Sequence, residues 1–178
     1  MLPKVELISV LEAAGQLRVS PASADNLLRC GLLGTVYSDG RRQYVTAWAL
    51  RDLAERPPAP DRLPPAVWAR PGPPVDEGDG RRFRGWHAAA TAADRKAGVD
   101  RWWQLRQPDR LLGALFVVTV AGFVAETYRI RRLTGQDEMG RWQLALAAAR
   151  DKDASCYLGT RLPARQGGRL IRHQLPLS

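Results

Sequence analysis

The sequence predicts an α+β protein built as two units, and three observations carry that expectation. Signals for helix, helix, hairpin and helix follow one another through residues 1–56. Eight of the 13 prolines then crowd between Pro57 and Pro74. Beyond them, residues 81–178 show one helical pattern and about five strand-like runs, a mixture that packs helices on a sheet. A hydrophobic share of 45% over 178 residues is ordinary for a folded chain and excludes global disorder.

The first unit is the most legible. Ser9-Val10-Leu11-Glu12 has the pattern of a capping box. Val10, Leu11, Ala14 and Leu17 then share one helical face. Ser20-Pro21 opens a second helix, an N-cap with proline at the first helical position. Ala24, Leu27 and Leu28 face inward, and Gly31 stops it. The short link between the two helices fits a helix-turn-helix. Thr35 to Tyr37 and Arg41 to Val45 flank Ser38-Asp39-Gly40, a strong hairpin signal. Thr46 is expected to cap a last helix through Leu50 and Leu53.

Residues 57–80 turn from proline-rich to acidic and glycine-rich at Asp76-Glu77-Gly78-Asp79-Gly80. Such a stretch is expected to build neither helix nor ladder and to act as a semi-rigid linker. In residues 81–178, Trp86, Ala89, Ala90, Ala93 and Ala97 are spaced as one helical face, ended by Gly98. Strand-like runs follow at 101–106, 114–120, 123–131, 141–146 and 169–175, with Ala121-Gly122 as a tight turn and a short helix over 151–157. The expected architecture is a curled sheet or small barrel.

The first unit resembles the MerR-like, excisionase-type winged helix-turn-helix over about residues 5–55. The carriers are Ile8-Ser9-Val10-Leu11-Glu12-Ala13-Ala14, Leu17-Arg18-Val19-Ser20-Pro21, Leu27-Leu28-Arg29-Cys30-Gly31-Leu32-Leu33 and Gly40-Arg41-Arg42-Gln43-Tyr44. The resemblance implies that Ala22, Ser23, Asn26 and Arg29 face a DNA groove and that Arg41 and Arg42 sit on the wing. Against this, the second helix opens on Pro21-Ala22-Ser23, with Asp25 just beyond to repel phosphate. A protein-docking or dimerisation module is the alternative. A second resemblance covers about residues 88–175, on Trp102-Trp103, Ala114 to Val118, Gly122 to Ile130, Arg141 to Leu144, Tyr157 to Leu162 and Leu170-Ile171-Arg172. These look like the small PUA-like domains, relatives of the EVE, ASCH and SRA types, and imply binding of RNA or of an extruded, often modified, base.

The net charge of +9 comes from 27 basic residues, of which 24 are arginine. Arginine contacts phosphate and guanine edges in bidentate fashion; GC-rich coding is the competing explanation. Residues 1–56 carry a net +1, residues 57–80 a net −2 and residues 81–178 a net +10. The positive field therefore lies in the second unit, which makes it the main nucleic-acid candidate. Aromatics sit among these charges, and a base stacked on one gains roughly 1–3 kcal/mol. The candidate contacts are Arg101, Trp102, Trp103, Tyr128, Arg129, Arg141, Trp142, Arg161, Arg165, Arg169 and Arg172. Strand alternation is expected to send Trp102 and Trp103 to opposite faces, one core and one surface.

Cys30 and Cys156 are too few for a disulfide framework. Cys156, His173 and Asp153 show no catalytic spacing, and no phosphate-loop, nuclease or deaminase motif is present. No catalytic residue, metal or cofactor is expected. The longest uncharged run, Leu111 to Ala125, has 15 residues, short of the ~20 of a membrane helix. With no apolar leader, a cytoplasmic location and no membrane partner are expected. The expected partner is nucleic acid, DNA before RNA, and the protein partner a second copy, a nuclease or a helicase. The leading expectation is a bacterial regulation or defence protein that reads a modified or extruded base. The alternatives are an excisionase-like or MerR-like regulator whose second unit dimerises or senses a ligand, and an adaptor that recruits a nuclease or helicase.

Overall fold

A computed structural model describes residues 6–78, 80–163 and 168–175. Strand β1 (Leu7–Ser9) leads into α1 (Val10–Leu17). Ser9 closes the capping box: its hydroxyl accepts from the Glu12 amide, and the Glu12 carboxylate accepts from the Ser9 amide at 3.1 Å. These bonds, with burial opposing, hold the Glu12 carboxyl below its ordinary value. Ser20 caps α2 (Pro21–Arg29) in turn, with Pro21 in the first turn. Gly31 follows at φ +73°, where a Cβ would lie 2.9 Å from the His87 ring, so this helix stop also permits a close approach.

Strands β2 (Tyr37–Ser38) and β3 (Gln43–Thr46) form the hairpin, and β3 also pairs with β1, giving the sheet order β1-β3-β2. Asp39 organises the hairpin turn. Its carboxylate accepts from the Arg42 and Arg41 amides and from the Tyr44 hydroxyl, and these bonds hold it below the usual carboxylate range. Helix α3 (Ala47–Ala54) follows. Thr46 stands at its N-cap without a side-chain cap bond; instead the Ala47 amide donates to the Glu6 carbonyl at 3.0 Å.

The second sheet contains β4 (Ala66–Ala69), β5 (Leu115–Val120), β6 (Phe123–Gln136), β7 (Trp142–Ala148) and β8 (Leu170–His173), in the order β7-β6-β5-β4-β8. Only β4 and β5 run parallel. Two expectations are corrected here. The sheet is open and not a closed barrel, because β7 and β8 occupy opposite edges. The stretch 57–80 is not only a linker, because it supplies β4 next to the sheet centre. Its prolines flank that strand at Pro64, Pro65 and Pro71, so no ladder amide is lost. The turn at Ala121-Gly122 is as read: φ is positive at both, 50° and 87°, the requirement of the tight hairpin turn that matches strand twist.

Alternation along β4 and β5 divides the core. Val67, Ala69, Phe116 and Val118 join Leu17, Leu27, Leu33 and Leu53 in one continuous cluster, so the N-terminal elements pack on one face of the sheet. Trp68, Leu115 and Val117 face the other way, against Tyr157, Leu162 and Leu63. The Tyr157 hydroxyl donates to the Pro64 carbonyl. The link between the two sides is polar as well: the Ala88 amide donates to the Cys30 carbonyl, and Arg56 reaches the Val124 carbonyl at 2.9 Å.

Helix α4 spans Ala92–Val99, shorter than the alanine spacing suggests. Thr91 caps it, and Trp86 lies before it, buried. The Trp86 indole N–H donates to Glu126 at 3.1 Å. Arg95 of α4 holds both oxygens of the same carboxylate, at 3.1 and 3.3 Å, and donates to the Ala88 and Ala90 carbonyls. A 3-10 turn (Pro108–Leu111) and the short α5 (Lys152–Ser155) complete the fold. Among the described residues, no helix is long and apolar enough to cross a membrane.

Glu126→Ala strands Arg95 and the Trp86 indole. It is expected to cost roughly 3–5 kcal/mol in urea unfolding, with a smaller loss for Glu126→Gln, which keeps an acceptor. Stability should also fall in base. Burial pushes the Cys30 thiol from its ordinary 9.0 up to about 12 and the Tyr157 hydroxyl from 10.0 up to about 12. Between those limits the unfolded chain binds fewer protons than the folded one. The contribution is therefore whole below pH 9 and is lost as pH rises toward 12. Urea midpoints measured across this range should decline, and less steeply in Cys30→Ala.

Candidate nucleic-acid interface

Residues 100–103 run along the outer edge of β7. The Trp103 and Trp142 amides and carbonyls exchange bonds of 3.0 and 2.8 Å, and the Leu144 amide donates to the Asp100 carbonyl. Trp103 points into the core: its indole N–H donates to the Val99 carbonyl at 2.8 Å, and its ring meets Phe116 edge-on at 5.6 Å. Trp102 is half-buried and lines a cleft of about 410 Å³. The Arg101 guanidinium carbon lies 5.9 Å from the Trp102 ring centroid, within cation–π reach. The other walls come from distant parts of the chain: Pro71, Glu77 and Arg84, then Arg141 after the β6–β7 turn, then Gly168, Arg169 and Leu170.

Three of the four guanidinium groups are oriented by carboxylates. Arg84 meets Glu77 at 2.9 Å, Arg101 meets Asp100 at 2.9 Å, and Arg141 meets Asp137 at 2.7 Å. Partial desolvation opposes ionisation of Asp137, but the Arg141 side chain and amide outweigh it and hold the carboxyl below its usual range. Arg169 is exposed, and its side chain has no ion pair among the described residues. A second cleft adjoins the first through shared Gln104 and Leu170. It is lined further by Leu105, Arg106, Gln107, Gly140 and Arg172, with no carboxylate. The two adjoining clefts make up a groove with an aromatic end and an end where Arg106 and Arg172 stand without a carboxylate.

The structure thus brings Arg101, Trp102, Arg141, Arg169 and Arg172 together from the sequence candidates, with Trp103 as floor. It places others elsewhere. Tyr128 is buried beside Glu126, and burial first, then the carboxylate, drive its hydroxyl upward. Arg129 is pinned by Asp151 at 2.8 Å, Asp153 and the Gly113 carbonyl, and the Asp151 carboxylate raises the pKa of the guanidinium it holds. Trp142 is half-buried outside the cleft lining. Arg161 donates to the Leu17 and Arg18 carbonyls at 2.8 and 3.3 Å and covers Phe123 at 4.9 Å. Arg165 lies outside the described residues. Arg84, Arg106, Gln104 and Glu77 are additions. Arg84 was visible as part of a basic run, whereas nothing in the sequence marks Glu77 as more than part of an acidic stretch.

On α2, Ala22 and Arg29 are exposed together with Asp25, which Arg29 meets at 4.0 Å. Ser23 and Asn26 turn instead toward Thr119, Ala121 and Arg161 across a cleft of about 510 Å³. Arg41 and Arg42 are exposed at the hairpin turn. No protein-family model, curated protein or solved structure matches the chain.

Arg161→Ala removes two charged donors from the end of α1 and the cover from Phe123. Hydrogen bonds of this kind contribute about 1.5–3 kcal/mol. Hydrogen exchange should speed up at amides near Val19 and Leu162, with the β6–β7 ladder unaffected.

Proposed function

We propose that this chain is a non-enzymatic nucleic-acid-binding protein whose second unit takes a single-stranded or extruded segment in the groove. One base stacks on Trp102, and the flanking phosphates lie along Arg169, Arg106 and Arg172. The carrying observation is the half-buried Trp102 ring among four guanidinium groups, in a cleft that shares Gln104 and Leu170 with a second one holding Arg106 and Arg172. Energetics favour this use. Stacking contributes roughly 1–3 kcal/mol, while a solvent-exposed ion pair is worth only about 0–1 kcal/mol. Arg106, Arg169 and Arg172 carry no ion pair among the described residues, so none has even that much to give up before it meets a phosphate. DNA is favoured over RNA through the winged helix-turn-helix resemblance of the first unit.

In this reading α2 is not the main DNA contact. Ser23 and Asn26 face the sheet side, and the exposed strip carries Asp25. Arg41 and Arg42, exposed at the hairpin turn, are left to touch a duplex backbone. A docking role for the first unit is the second reading, favoured by Leu11 and Trp48, exposed by 72% and 67%.

Fluorescence anisotropy with labelled single-stranded and duplex oligonucleotides tests the proposal. Trp102→Ala should weaken single-strand binding about tenfold. Arg172→Ala should reduce the slope of log affinity against log salt by about one. Wild-type protein that binds no oligonucleotide at moderate salt, or a Trp102→Ala variant that binds as well as wild type, overturns it.

A further inference from the structure

The groove's lining is chemically divided. Among the residues lining its two parts, Glu77 is the single carboxylate, and it stands at the Trp102 end. A carboxylate repels phosphate, so the anionic backbone belongs at the Arg106–Arg172 end and the neutral base beside Glu77. Glu77 Oε1 lies 2.9 Å from Arg84 Nη1, and both side chains are about one-third exposed, at 32% and 33%. The cleft therefore presents a strong acceptor and a strong donor side by side, next to a stacking surface.

We infer that this end of the groove selects guanine: Glu77 accepts from N1–H and N2–H of a base stacked on Trp102, while Arg84 donates to O6. The inference rests on the base-stacking reading above and names what that site takes. The four bases differ in what they offer the pair. Guanine shows two adjacent donors and then an acceptor along one edge, which matches a carboxylate beside a guanidinium. Cytosine offers its amino group to Glu77 and acceptors to Arg84, with one fewer donor, and ranks second. Adenine offers the same amino donor and neighbouring ring acceptor as cytosine but no second acceptor beyond them, so it gives Glu77 one donor where guanine gives two. Thymine flanks its single N3–H with two carbonyls and places one of them against the carboxylate. Burying a polar edge against the wrong partner is what gives such discrimination its size.

The test uses full-length protein and thymine-only oligonucleotides carrying one central guanine, adenine, cytosine or hypoxanthine. Guanine should bind roughly tenfold or more tighter than adenine, and hypoxanthine, which lacks the 2-amino group, should lose much of that margin without any change to the protein. Glu77→Gln should bind guanine and adenine oligonucleotides alike. Free guanosine monophosphate should compete weakly, since it lacks the neighbouring phosphates for Arg106 and Arg172. Equal affinity for all four bases, with the Trp102 dependence intact, overturns guanine selection and leaves the stacking reading standing. Absence of binding to every oligonucleotide overturns both. A mononucleotide that competes as tightly as the oligonucleotide overturns the nucleic-acid assignment and reassigns the Glu77 site to a free guanine nucleotide.

Discussion

The buried carboxylate of Glu126 is the contact on which the placement of α4 and the cleft beside β7 depends. It sits on β6 and gathers the Trp86 indole and the Arg95 guanidinium, two groups from outside the sheet. Arg95 fixes α4, and the end of α4 offers the Val99 carbonyl to the Trp103 indole. Trp103 in turn lies against β7, and its neighbour Trp102 is thereby turned into the cleft. Replacing such a buried pair by apolar groups is often neutral or favourable. What an apolar replacement lacks is direction: a carboxylate with three donors fixes one placement of α4, and the cleft depends on that placement.

What was legible in the sequence was local. Ser9 with Glu12, Ser20 with Pro21, and Ala121 with Gly122 each state their conformation within four residues, and each is found as read. Strand β4 was not legible, because four apolar residues between prolines carry no period and their partners, β5 and β8, lie far along the chain. The helix expected from Trp86 starts late for a similar reason: a tertiary acceptor, Glu126, takes the indole out of the helical stripe. The cleft was half legible. Basic and aromatic residue types marked Trp102, Arg141 and Arg169. Glu77 and Arg84 lie outside both sheets, beside the isolated Val75–Arg84 bridge, and only the finished fold brings them to the cleft.

The arginine excess also changes meaning. Arg161, Arg95, Arg129 and Arg56 each donate to backbone carbonyls that no strand or helix satisfies. A planar group with five donors can close two or three such positions at once, which an ammonium cannot do with the same geometry. Part of the +10 of residues 81–178 is thus internal scaffolding. Of the arginines that line the two clefts, Arg106, Arg169 and Arg172 carry no ion pair among the described residues.

The position of β4 bears on how the chain is made. Its parallel partner is β5 and its antiparallel partner is β8 at residues 170–173. During synthesis from the N-terminus, the first helices and the hairpin can assemble from neighbours alone. Residues 66–69, all buried in the finished sheet, must wait with one edge unpaired until β8 leaves the ribosome. Such non-local pairing is slow, and an apolar edge held open for that interval is the point at which the nascent chain is most exposed to wrong partners.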